Sequence, residues 1–153
     1  MLDAPDTAPD FTLPCDDGTR VTLSALRPAP VVLFFYPRDD TSGCTREATD
    51  FTALADDFAA SGVKVFGISK DSLASHEKFA TKHGLAVPLL SDADGTVCED
   101  YGTWREKKMY GKTFWGIERS TFLIDGSGQI ARAWRKVKVP DHAAAVLAVA
   151  RAM

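Results

Sequence analysis

The sequence predicts an α/β fold in which a central mixed sheet is flanked by helices and preceded by a small β-hairpin. Three observations lead there. Two runs, "VVLFFY" (31–36) and "VKVFGIS" (63–69), are nearly continuous in apolar residues rather than alternating, the pattern of strands covered on both faces. The residues between them repeat apolar side chains at helical spacing, so strand, helix and strand form a crossover unit whose two strands run parallel. Later, "RSTFLIDGSGQIARAW" (119–134) holds two strand-like runs around an Asp-Gly-Ser-Gly turn, which adds an antiparallel pair and makes the sheet mixed.

In chain order, "DFTLPCDDGTRVTL" (10–23) has two apolar stretches around an Asp-Gly and reads as the N-terminal hairpin. "VVLFFY" follows as a central strand. From Ser42 to Ala60 the residues Ala48, Phe51, Leu54, Ala55, Phe58 and Ala59 mark one helix face, and Gly62 supplies the stop. After the strand "VKVFGIS", "DSLASHEKFATKHG" (71–84) reads as a helix capped by Asp71 or Ser72 and ended by Gly84. "VPLL" is a short strand, "GTVCEDYG" a helical turn, and "DHAAAVLAVARAM" a closing helix. A crossover first, a hairpin afterwards and helices between them is the order of a thioredoxin-like layered sheet.

At 153 residues the chain suits a single domain, 1–153, large enough to bury roughly 70% of its unfolded surface without a covalent staple. Three cysteines cannot complete a disulfide framework, so reduced thiols in a cytoplasm are expected. The start "MLDAPDTAPDF" has neither a basic segment nor an apolar run, and nowhere do about eighteen apolar residues follow one another, so no export signal and no membrane association is expected. Residues 1–60 hold eleven Asp/Glu against four Lys/Arg, whereas 103–138 hold nine Lys/Arg against three Asp/Glu. The net charge of −3 argues against a nucleic-acid partner. The basic stretch "WREKKMYGK" (104–112) reads as a solvated face, with a docking surface as the alternative.

The stretch that carries chemistry is "FFYPRDDTSGCTREATDF" (34–51), where Cys44 stands at the start of a helix beyond the carboxyl end of a strand, the edge at which α/β sheets bind ligands. Open amides and the helix dipole favour an anion there. An ordinary thiol is only about 3% ionised at pH 7, so ionisation alone yields at most about thirtyfold. A less basic thiolate is also a weaker nucleophile, so fast chemistry needs donors aimed at the leaving group. Thr41 and the amides of Gly43 and Cys44 are such donors. Pro37 can end the strand and turn the chain over the thiol. A fixed cation is missing from the local stretch.

Pro37, Thr41 and Cys44 in "YPRDDTSGCTRE" match the P-x-x-x-T-x-x-C motif of the peroxiredoxins, and the chain resembles their bacterioferritin-comigratory-protein or PrxQ subfamily. The resemblance extends over "PDFTLPCDDGTRVTL", "VFGISKDS", "LLSDADGTV" and "YGKTFWGIERSTFLIDGSGQI", nearly the whole chain. It implies a thiol-dependent peroxidase in which Cys44 attacks a hydroperoxide and becomes a sulfenic acid. By the same resemblance Thr41 bonds thiolate and peroxide, Pro37 shields the site, and Arg119 in "IERSTFLID" is the missing cation. Glu47, one helical turn after Cys44, has two readings, a partner that orients Arg119 or an exposed helical glutamate. No cofactor is implied. The implied partners are a hydroperoxide and a reductant that is thioredoxin, glutaredoxin or a small thiol, with the chain acting as a monomer.

The subfamily's usual positions for a resolving cysteine are occupied here by Thr49 and Ala80. Two routes stay open: a one-cysteine cycle completed by an external thiol, or an unusual resolving role for Cys15 or Cys98. Cys15 is expected at an exposed turn and Cys98 in an amphipathic stretch as a core residue. Two other functions compete. A dithiol-disulfide oxidoreductase needs C-x-x-C, and position 47 is Glu; a redox sensor or holdase would stall after one oxidation. "YGKT" lacks the glycine of a phosphate-binding loop, because position 106 is Glu. His76, His83 and His142 are dispersed and lack the cysteine pairs of a zinc site.

Overall fold

A computed structural model describes residues 2–153. Thr12–Pro14 (β1) and Arg20–Thr22 (β2) pair antiparallel as the expected hairpin. A five-stranded sheet follows, made of Val31–Phe35 (β3), Lys64–Ser69 (β4), Leu89–Ser91 (β5), Ser120–Ile124 (β8) and Ile130–Trp134 (β9) in the order β5-β4-β3-β8-β9. β3 is parallel to β4 and β4 to β5, whereas β8 is antiparallel to β3 and to β9. All five residues of β3 are buried, as its unbroken apolar run requires.

Alternate residues of β3 feed two cores. Val31, Leu33 and Phe35 face a cluster with Phe11, Cys15, Cys98, Tyr101 and Phe122; Val32 and Phe34 face one with Cys44, Phe51, Phe58 and Val146. The second core is covered by Ser42–Ala53 (α1), Ala55–Ala60 (α2), Leu73–His83 (α3) and His142–Arg151 (α5). Val97–Asp100 (α4) lies on the other side and buries Val97 and Cys98. Ser72 accepts from the Ser75 amide at the start of α3, and Gly84 closes that helix in the left-handed conformation.

Two expectations need correction. The single helix over 42–60 is broken at Leu54 (φ −101°, ψ 6°). The break places Asp56 and Asp57 in a new first turn, where the dipole favours carboxylates, and still brings Phe51 and Phe58 into one cluster. Cys15 is not exposed but 1% accessible, because the hairpin docks on β5: Cys15 bridges Leu90, and the Asp16 amide donates to the Leu89 carbonyl. The basic stretch is solvated as expected, with no buried residue over 104–112, and it folds as part of an antiparallel hairpin of its own, Trp104–Met109 (β6) and Lys112–Ile117 (β7), that the sequence did not predict. Its turn residues Tyr110 and Gly111 both have positive φ, as a tight two-residue connection demands.

The loop from β3 to α1 is fastened to α3. Asp39 accepts from the Tyr36 hydroxyl (2.6 Å) and the Ser75 hydroxyl (2.8 Å), and its Oδ2 lies 2.7 Å from His76 Nδ1. The other ring nitrogen faces the Leu90 carbonyl at 3.0 Å. An acceptor at each nitrogen favours the imidazolium. Burial by itself would lower the His76 pKa, but Asp39 and the Leu90 carbonyl carry it above the ordinary value. The pair's contribution to stability is therefore complete below pH 6.5 and is lost as pH rises through the raised folded value. Urea unfolding should show His76→Asn to be about 3 kcal/mol less stable below pH 6.5, with the gap narrowing as pH rises. A constant gap would contradict the buried imidazolium.

Candidate active site

Strand register closes a sequence gap of 75 residues. Ser120 opens β8 opposite Phe35, the last residue of β3, so Arg119 comes to the carboxyl end of β3, where the chain turns through residues 36–41 into α1. Thr41 is the N-cap residue and Cys44 the third residue of the helix. The Thr45 amide is the first to bond back, to the Thr41 carbonyl at 2.8 Å, which leaves the amides of Ser42, Gly43 and Cys44 without an intrahelical acceptor. The Thr41 side chain does not cap them. Beside these open donors the Arg119 guanidinium donates from Nη2 to Cys44 Sγ at 3.3 Å and from Nη1 to Glu47 Oε1 at 2.7 Å.

The fork is tightly placed. A Cβ added to Gly43 would stand 3.3 Å from Arg119 Nη2, so the missing side chain makes room for the guanidinium. The Arg119 carbonyl accepts from the Val137 amide at 3.0 Å. Cys44 and Glu47 are each 1% exposed. Burial pushes the Glu47 carboxyl up to about 7 even though the guanidinium pulls it down, and its second oxygen has no hydrogen-bond partner. Nearby, burial and then the Arg119 charge hold His142 down at about 4, so the ring is neutral at pH 7, with Nε2 2.8 Å from the Thr121 hydroxyl.

The remaining sequence candidates lie as follows. Thr41 is exposed and its hydroxyl donates to the Arg38 carbonyl at 3.0 Å, so its proton is committed away from the sulfur while its lone pairs stay open. Pro37 is exposed in the bend after β3. Cys15 and Cys98 pack in the core on the opposite side of the sheet from Cys44. Burial raises both of their thiol pKa values, that of Cys15 to about 12.

Sequence reasoning missed Lys107. Its ammonium donates to the Ile117 carbonyl, its stem runs over Gly116, and burial followed by the Arg119 charge holds its pKa below the usual lysine range. Only the pairing of β6 with β7 brings it there, and the sequence reading placed no hairpin in that stretch. Asp39, Asp71 and His76 offer ligand-type atoms within 4.8 Å of one another. They do not fit a metal, because both His76 nitrogens and both Asp39 oxygens already serve the loop network.

Glu47 sets stability against function. Its folded pKa is raised, so its contribution is complete below pH 4.5 and is lost as pH rises through about 7. Urea unfolding at pH 5 and pH 8 should show Glu47→Gln gaining on the parent chain by about 3 kcal/mol between the two. A difference that does not change with pH would contradict the raised carboxyl.

Comparison with known proteins places this geometry. The model of the AhpC/TSA family matches residues 4–133. Peroxiredoxin Bcp of Xanthomonas campestris pv. campestris is 47% identical over 152 residues, covering 99% of this chain and 95% of that protein. Peroxiredoxin Bcp of Bacillus subtilis is 46% identical over 140 residues, covering 92% and 89%. Among solved structures, the Xanthomonas campestris bacterioferritin comigratory protein, studied for its alkyl peroxide reduction activity, superposes with a TM-score of 0.88 at 48% identity, covering 93% of this chain and 90% of that one. A cysteine-to-serine variant of Xylella fastidiosa PrxQ reaches 0.94 at 39% identity, covering 99% and 97%. The match across nearly every element makes this chain a member of the AhpC/TSA family, in its Bcp/PrxQ group of peroxiredoxins.

Proposed function

We propose that Cys44 is the peroxidatic residue of this chain, reducing hydrogen peroxide and organic hydroperoxides by way of a sulfenic acid. Peroxiredoxins are thiol-dependent peroxidases, and this chain is one. The residue assignment rests above all on the 3.3 Å approach of Arg119 Nη2 to Cys44 Sγ beside open helix amides. The thiolate attacks one peroxide oxygen; the S–O bond forms as the O–O bond breaks, and the electron pair leaves on the second oxygen, which takes a proton to become water or alcohol. Thr41 accepts the peroxide O–H through its free lone pairs and so aims the peroxide at the sulfur. Arg119 and the first-turn amides stabilise the charge that moves onto the departing oxygen. Pro37, which lacks an N–H, borders the site without offering water a donor.

The sulfenic acid then needs an external thiol, since the sheet separates Cys44 from Cys15 and Cys98. A thioredoxin-type protein, glutaredoxin or small thiol fills that role. Cys44 is 1% exposed, so a protein thiol reaches it only once the first turn of α1 opens. Asp40, paired with Lys82 and His83 at 2.8 Å each, is the surface clasp that such opening releases. Three unpaired cysteines suit a reducing cytoplasm. Among the described residues, exposed large hydrophobics are confined to one hairpin and Met153, which supports a monomer.

With excess dithiothreitol the parent chain should consume peroxide over many turnovers, and Cys44→Ser should consume none. Intact mass after one equivalent of peroxide should show one added oxygen on the parent and none on the variant. Thr41→Val should slow the peroxide step by about 100-fold. Substantial turnover by Cys44→Ser, or an unchanged rate in Thr41→Val, would overturn the respective assignment.

A further inference from the structure

The β6–β7 hairpin stands apart from the main sheet and carries Met109, Tyr110, Phe114 and Trp115; the other exposed large hydrophobic among the described residues is Met153. Its strands hold Arg105, Lys107, Lys108 and Lys112 against Glu106 alone, on a chain whose net charge is −3. Register sorts these side chains. Arg105 opposite Gly116, Lys107 opposite Phe114 and Met109 opposite Lys112 share one face, so apolar and cationic groups alternate on it. Two residues beyond β7 the chain reaches Arg119 and hence Cys44.

We propose that this face is the docking surface for a protein dithiol reductant with an apolar, acid-rimmed active surface, of the thioredoxin type. The proposal rests on the reading of Cys44 as the oxidised residue. Because neither other cysteine shares its side of the sheet, the reducing thiol comes from outside and must be presented at the border of the site, where this hairpin stands. A small thiol needs no such platform. On this face Met109 and Phe114 lie among Lys107 and Lys112, while Arg105 is paired with Glu118 at 3.2 Å; apolar side chains beside unpaired cations are the composition of a recognition surface, and the cations select an acidic partner. The docked thiol attacks the sulfenic acid, forming a mixed disulfide with Cys44 and releasing water. The partner's second thiol then displaces Cys44 as a thiol, leaving the partner oxidised to its disulfide.

The test compares two reductants on the full chain: purified bacterial thioredoxin with its reductase, and dithiothreitol. Phe114→Ser and Lys112→Glu, both at exposed positions outside the catalytic groups, should each lower kcat/KM for thioredoxin by about tenfold. Turnover with dithiothreitol and the rate of the peroxide step should stay within about twofold of the parent, and added salt should weaken the thioredoxin reaction of the parent more than that of Lys112→Glu. Thioredoxin kinetics unchanged in both variants would overturn the docking surface. So would a parent chain that turns over with dithiothreitol but not with thioredoxin. A dimer in sedimentation that Phe114→Ser dissolves would assign the face to a second copy instead. Failure of the dithiothreitol arm in the parent would sink the peroxidase reading, and this proposal with it.

Discussion

One guanidinium joins the two halves of the molecule. Arg119 belongs to the antiparallel half of the sheet and Cys44 to the crossover half, and the charge between them is set by the fork that Arg119 extends to Glu47 and the sulfur. The surroundings serve that fork. The pairing of β3 with β8 delivers it, Gly43 leaves space for it, and the neutral ring of His142 sits near it without repelling it. Glu47 carries the cost: a carboxyl buried with one oxygen unbonded is unfavourable, while its other oxygen accepts from the guanidinium at 2.7 Å and fixes its orientation.

The sheet divides the cysteines as well as the cores. Cys44 shares its core with Phe34, Phe51 and Ala48, while Cys15 and Cys98 are sealed on the other side among Leu13, Leu90 and Tyr101. The two sealed thiols are pushed toward the protonated, inert form, whereas Cys44 faces a cation and open amides. Exchange between the two sets would require the chain to open across a fully buried strand. The geometry therefore favours an external reductant over an internal one.

Much of this architecture was legible in the sequence because it rests on local chemistry. The continuous run of β3, the Ser72 cap and Gly84 stop of α3, and the Asp-Gly-Ser-Gly turn each announce themselves within a few residues. What escaped depends on contacts distant in the chain. The β6–β7 hairpin has charged residues on both faces and a Tyr-Gly turn, so neither alternation nor a common turn signal marks it. The break at Leu54 has no Gly or Pro to signal it. The burial of Cys15 arises from docking on β5, which no pattern near residue 15 encodes. Arg119 was legible only through the family motif; its approach to the sulfur is a product of strand register.

The central claim is that a planar fork, and not merely a positive charge, acts on the sulfur. Stopped-flow measurement of the peroxide reaction in Arg119→Lys tests it most directly, because lysine keeps the charge but cannot reach Glu47 and Cys44 with two fixed donors at once. The account predicts a second-order rate constant about 100-fold below that of the parent chain. A rate within about twofold of the parent would show that charge alone suffices, contrary to the bidentate geometry on which this account depends.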